Sequence, residues 1–158
     1  MDKRAKLLII GNTQYGQVIK EIANVKYPTI AFLDDESEAT IGKLSNLAKF
    51  ARDYKAIVAF EDFGKRKEIY KKLQKAGFTI ASIISPRAFV AKSAQIEPGC
   101  VIEPMAVVHT GTIIKRGTFI CAGAVVNHHA QVNEFCQIGC NVVVDAVEEV
   151  PGETNLKR

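Results

Sequence analysis

Three histidines are the side chains of this 158-residue sequence best suited to moving a proton near neutral pH. An unperturbed imidazole titrates at about 6.5, so it can take a proton from an attacking amine or hydroxyl and return it later in the same turnover. They are not scattered. His109 lies 18 residues before Asn127, which is followed directly by His128 and His129. Acyl transfer needs such a base and a backbone N–H for the oxyanion, without a protein nucleophile or a metal. The plainer alternative, polar surface on a regular scaffold, stays open for each of the four.

The interval of 18 has meaning because of the stretch that carries these residues. From Ile84 to Val150 every sixth residue is Ile or Val: 84, 90, 96, 102, 108, 114, 120, 126, 132, 138, 144 and 150. Four places after each stands a mostly small residue, among them Ala88, Ala94, Cys100, Ala106, Thr112, Thr118, Ala124, Ala130 and Cys136. A period of six suits neither a helix nor a lone amphipathic strand. It suits a solenoid with three hexads per turn, the β-branched residue pointing inward on each short strand and the small residue letting the corner close. Gly99, Gly111, Gly117 and Gly123 share one place in the hexad, where the corner backbone is expected to need unusual torsions. Residues 18 apart then stack about 4.8 Å apart. His109, Asn127 and Asp145 fall in one outward column and Thr110, His128 and Ala146 in the next, so His109, Asn127 and His128 become neighbours on one edge. After Val150 the pair Pro151-Gly152 breaks the pattern and a polar tail is expected, leaving slightly under four coils.

The first part of the chain reads differently. Lys6 to Ile10 is an apolar run that ends at Gly11, as a buried parallel strand would. The loop Gly11-Asn12-Thr13-Gln14-Tyr15-Gly16 follows, then Val18, Ile22 and Val25 at helical spacing. Strand, glycine loop and helix can turn backbone N–H groups toward a phosphate. A tight structural turn is the equal alternative, because Thr13 stands where the middle glycine of a dinucleotide loop would be. Thr29 to Leu33 reads as a second strand ending at Asp34-Asp35, carboxylates placed either to meet a ribose or base or to solvate a loop. A short helix over 42–52, a strand over 56–60, a helix over 61–75 and a fourth strand over 78–84 complete a β-α-β alternation. Lys65, Arg66 and Lys67 are read mainly as a solvated charge run.

Composition bounds the function. Apolar residues make up 47% and charged ones 24% of the sequence, and no apolar run reaches the length of a membrane span, so a cytoplasmic protein is expected. The net charge of +4 lies on the first part, where residues 1–82 hold 15 Lys/Arg against 10 Asp/Glu. That suits a phosphate-bearing small ligand, while no basic stripe interleaved with aromatics suggests nucleic acid. Cys100, Cys121, Cys136 and Cys140 form no Cys-x-x-Cys pair and are read as reduced, mostly core thiols, with Cys121 and Cys140 in different columns.

The hexads resemble the left-handed β-helix of the hexapeptide-repeat acyltransferases. The segment from Gly123 to Val132, which contains Asn127-His128-His129, is similar to the catalytic coil of one branch of them: the sialic-acid O-acetyltransferase-like proteins and UDP-4-amino-sugar N-acetyltransferases. The likeness extends over the whole chain, through the Gly11 loop, Asp34-Asp35 and the Ser85-Pro86 entry to the hexads. It implies an α/β, Rossmann-like nucleotide-sugar domain over 1–82, then a short left-handed parallel β-helix over 83–158, assembled as a homotrimer. It also implies acetyl-CoA as co-substrate and an amino or hydroxyl group of a nucleotide-activated, UDP-linked sugar as acceptor, in surface glycan synthesis. In that branch the base is the histidine two places after the inward aliphatic, here His128. Gly11, Asn12, Thr13, Asp34 and Asp35 would lie near the nucleotide. The acid that usually follows the base is His129 here, so Asn127, Asp145 or Glu134 would have to orient it; a histidine often found nine places on is Gln137. Family members usually continue for several more coils, which keeps a second expectation in view: a catalytically silent trimeric nucleotide-sugar-binding or scaffold protein.

Overall fold

A computed structural model describes residues 5–157. The chain divides into two compact units, one running to Ala81 and the other starting at Ser82.

The first unit is built on a three-stranded parallel sheet. β1 (Lys6–Ile10) lies between β2 (Thr29–Leu33) and β3 (Lys55–Val58). Leu7, Leu8, Ile9 and Ile10 of β1 are all fully buried, as a central parallel strand covered on both faces requires. Helix α1 (Gln14–Ala23) connects β1 to β2, and α2 (Phe63–Lys75) follows β3. Thr13 caps α1 by accepting the Gly16 N–H, and Asp62 caps α2 by accepting the Lys65 N–H at 2.7 Å.

Two expectations need correction here. The stretch 42–52 is a short 3₁₀ helix, Leu44–Phe50, interrupted at Asn46, whose φ of −108° is not helical. The fourth strand does not form as a strand of this sheet. Ile80 makes one isolated bridge to Ala56, through the Ala56 N–H to Thr79 O and the Ala81 N–H to Ala56 O. From Ile83 onward the backbone pairs instead with the coil above it, Ile83 N–H donating to Cys100 O.

The second unit is a three-sided parallel β-helix of two-residue strands. Its faces hold five, four and four strands, and every pair is parallel at a register of 18 residues, as in Phe119 with Val101 and Val126 with Val108. The inward row from Ile102 to Val144 is wholly buried, each Ile or Val contributing roughly 1.5–3 kcal/mol by leaving water. Ile84, whose strand is at the edge of its sheet, is 41% exposed.

The small inward column carries a repeated bond that the sequence did not suggest. Thr112 and Thr118 donate their hydroxyls to Asn127 O and Asn133 O, and Cys100 and Cys136 donate their thiols to Lys115 O and Pro151 O. Each reaches 15 residues ahead to a corner carbonyl, adding a side-chain donor there. The corners themselves turn through positive φ at every sixth residue: at Gly99, Gly111, Gly117 and Gly123, and equally at Met105, His129, Phe135, Asn141, Val147 and Glu153. The pattern also outlasts Val150. Asn155–Leu156 pairs with Gln137–Ile138, so 153–156 is a further corner and strand rather than a loose polar tail. Leucine takes the inward place there, which a search for β-branched residues passes over.

Candidate active site

In the second unit, the strand Val125–Val126 ends at a corner formed by Asn127, His128, His129 and Ala130. The corner is closed by the Ala130 N–H to Asn127 O, and the carbonyl of Asn127 also takes the Thr112 hydroxyl at 3.0 Å. Asn127 thus serves the corner through its backbone. His129 occupies the positive-φ place, at φ 59°, and its imidazole lies over Gly111 of the preceding coil. A Cβ on Gly111 would stand 2.8 Å from His129 Cδ2, so that glycine is required both for its own torsion and to seat the ring.

The seated His129 ring meets His128. The two Nδ1 atoms are 3.2 Å apart, close enough for one to donate to the other, and the ring planes are nearly perpendicular at 79°. His109, one coil earlier, accepts the Thr110 N–H on its own Nδ1 at 2.9 Å, which leaves the proton of its neutral form on Nε2. Its ring stands 6.3 Å from that of His128, and Phe89 follows on its other side at 6.4 Å. All three histidines are exposed. The structure therefore brings His109, His128 and His129 together in one row, with Asn127 beneath them. Among the described residues neither carboxylate considered as an orienting partner hydrogen-bonds to His128: Glu134 pairs with Arg116, and the side-chain contact of His128 is with His129 rather than with Asp145. The partner of His128 is His129.

The candidate nucleotide residues lie in the first unit, and there the polar groups are largely engaged with one another. Gly11 has φ 113° and donates its N–H to Leu33 O. Asp34 is 5% exposed; one carboxylate oxygen accepts the Asn12 N–H at 2.7 Å and the other the Glu36 N–H at 2.8 Å. Asp35 accepts the Leu44 N–H. Thr13 is occupied as the α1 cap and also donates to Ala59 O. The side chain of Asn12 sits between Ser37 and Gln17. Sequence reasoning missed those two, and it missed Phe60, whose ring lies 3.1 Å from where a Gly11 Cβ would be. Arg66 also departs from expectation. It is fully buried and donates to Phe60 O and Glu61 O, so it holds the β3 end rather than solvating the helix. Its spacing of three and seven from Ile69 and Leu73, both buried, was the available signal.

An α/β unit with a glycine loop, joined in sequence to a hexad prism that presents an imidazole row at one corner, is the arrangement that the likeness to the hexapeptide-repeat acyltransferases implied. Comparison with known proteins agrees. Residues 6–73 match the family described as PglD N-terminal domain. The acetyltransferase domain of PglB from Neisseria gonorrhoeae FA1090 superposes with a TM-score of 0.92 at 27% identity, over 96% of this chain and 78% of that one. A structure of the same domain in complex with acetyl coenzyme A matches with a TM-score of 0.71 at 23% identity, over 94% and 93% of the two chains. A mutant of GDP-perosamine N-acetyl transferase from Caulobacter crescentus, in complex with CoA and GDP-perosamine, matches with a TM-score of 0.72 at 19% identity, over 96% and 90%. Residues 6–73 thus match that family's α/β domain, and the chain as a whole shares the fold of the PglB acetyltransferase domain, an α/β domain followed by a left-handed parallel β-helix.

Proposed function

We propose that the protein transfers the acetyl group of acetyl-CoA to an amino group of a nucleotide-activated sugar, with His128 as general base. The observation that carries this reading is the Nδ1 contact between His128 and His129 at 3.2 Å. If His128 donates its Nδ1 proton to His129, Nε2 of His128 bears the lone pair and faces outward, as a base must. The opposite arrangement would place the His128 proton on Nε2 and silence it. His129 thus does by hydrogen bonding what an acid does in related sequences, and His109 borders the reacting side.

The chemistry then balances without a covalent enzyme intermediate. The amine nitrogen attacks the thioester carbonyl, His128 Nε2 takes the proton that the nitrogen sheds, and a backbone N–H at a corner holds the oxyanion. The tetrahedral adduct expels the CoA sulfur, which leaves as thiol with the proton returned by the imidazolium. A sugar hydroxyl is the lesser acceptor, being less nucleophilic than an amine. The nucleotide is assigned to the first unit, near Gly11, Asn12, Thr13 and the acidic strand end, with Asp34 and Asp35 shaping the loop rather than touching the ligand. The neighbours in complex with acetyl coenzyme A or with GDP-perosamine support this assignment of co-substrate and acceptor class.

The working assembly is a homotrimer in the cytoplasm. On the second face of the prism the outward residues are Phe89, Val107, Val125 and Val143, of which Phe89 is 57% and Val143 56% exposed. An unbroken apolar row beside the histidine edge is suited to contact with another copy. All four cysteines are free, as in a reducing compartment.

Titration calorimetry of acetyl-CoA, with light scattering on the same sample, tests the binding half of the proposal. One site per chain in a three-chain particle is expected. A folded particle giving no heat at millimolar acetyl-CoA would instead point to a nucleotide-sugar-binding scaffold.

A further inference from the structure

The corner before the histidine corner holds a second cluster of chemically capable side chains. Glu103, Cys121 and Cys140 come from three successive coils, and their carboxylate oxygen and two sulfurs all lie within 4.8 Å of one another. Residue spacing placed the two cysteines in different columns, one residue out of step, yet the structure brings their sulfurs within 4.8 Å of each other. Glu103 and Cys121 are buried and Cys140 is exposed, so the cluster is open on one side. The Glu103 carboxylate is held in place by the Ala122 N–H on Oε2 at 3.1 Å, and the amide of Gln137 lies 3.7 Å from Cys121 Sγ.

We propose that Glu103, Cys121 and Cys140 form a binding site for a thiophilic divalent cation of the zinc type, which clips three coils together. Two sulfurs and one carboxylate oxygen are a borderline-soft donor set that hard cations disfavour, and a fourth, solvent-facing position would be filled by water. Zinc–sulfur bonds of about 2.3 Å put tetrahedral sulfurs about 3.8 Å apart, so about 1 Å of side-chain adjustment completes the geometry. Burial, and after it the neighbouring Glu103 carboxylate, push the Cys121 thiol well above its ordinary value, so a bound cation has to displace its proton. Both cysteines bind as thiolates, so each ion taken up releases two protons to solvent, and affinity rises with pH. No electron transfer is involved. Coils in a solenoid contact only their nearest neighbours, so a ligand bridging three adds a link that the backbone lacks. The proposal is independent of the acetyl-transfer reading, which needs no metal.

The test uses tag-free full-length protein kept reduced with a phosphine. Zn²⁺ is titrated against a chromophoric chelator, Co²⁺ binding is followed by its thiolate charge-transfer absorption, and thermal unfolding is recorded with and without Zn²⁺. One ion per chain is expected, with the thiolate absorption present and Tm raised by Zn²⁺. Exposed Cys140→Ser should keep the fold yet lose at least about 10-fold in affinity, along with the Tm increment. Cys121→Ala should behave alike, whereas the double variant His128→Ala/His129→Ala should retain the absorption. Co²⁺ bound without thiolate absorption, or Zn²⁺ held equally well by Cys140→Ser, would overturn the site and assign the ion to the histidine row.

Discussion

The glycine loop of the first unit and the histidine corner of the second use polar side chains in opposite ways. At the loop, Asp34 accepts two backbone N–H groups, Asp35 accepts another, Thr13 caps a helix and Asn12 is held between Ser37 and Gln17. At the corner, the imidazoles are exposed, and His128 stands between two others, with His129 at hydrogen-bonding distance. The loop is a fixed surface whose side chains have already made their bonds. What it offers a ligand is shape, while the corner offers groups whose proton count can change. Binding and chemistry are therefore expected to separate when each region is altered.

Substitution at the loop should produce the largest loss of stability. A Cβ on Gly16 would run into the Gly11 carbonyl oxygen, backbone that cannot step aside, so Gly16→Ala should cost on the order of 3 kcal/mol, read from urea denaturation. A cost below about 1 kcal/mol would mean that the loop is far more pliant than its bonds suggest. Next, Asp34→Ala leaves two N–H groups without their acceptor and should cost about 2 kcal/mol. In the same variant KM for the nucleotide sugar should rise while kcat holds. A fall in kcat alone would place Asp34 in the chemistry.

At the corner the pattern should invert. His129→Ala should lower kcat about 10-fold, a figure at the low end for removal of an orienting partner, with stability nearly unchanged. His129→Glu should recover it, since Glu153 already occupies the equivalent positive-φ corner place at 59°. Failure of glutamate to improve on alanine would show that His129 does not orient His128. The smallest effect concerns pH. Because the folded thiol of Cys121 holds its proton more tightly than the unfolded one, stability should be intact below about pH 8.5 and fall above it, by at most about 1.4 kcal/mol per pH unit. Metal-free Cys121→Ala should lose that part of the slope, and identical slopes would contradict the burial-driven shift.

The prism was legible because its period is enforced by packing: one residue in six must be buried, and a sequence shows that directly. Its register even brought His109, Asn127 and His128 together before any coordinates. What the period could not show is which way a corner turns its side chains. Phe135, Asn141 and His129 stack over Gly117, Gly123 and Gly111, a pairing 18 residues apart that is set by positive φ rather than by hydropathy. The Cys121–Cys140 approach was hidden because the two lie one residue out of step with the period of 18. In the first unit the strands β1 to β3 were readable as apolar runs. The roles of Asp34 and Arg66 were not, because a charged residue at a strand end or helix start looks the same whether it faces water or holds a backbone group. The missing fourth strand shows the limit of propensity: Phe78 to Ile84 has the composition of a strand, yet its last two residues pair with the next coil.

The most direct test is the rate of CoA release from acetyl-CoA with a panel of UDP-amino-sugars and GDP-perosamine as acceptors, comparing the wild type with His128→Ala. A kcat lower by roughly 10² to 10⁴, with the oligomer and acetyl-CoA affinity preserved, is the result expected if His128 is the base. A turnover rate unchanged by the substitution would remove His128 from the mechanism.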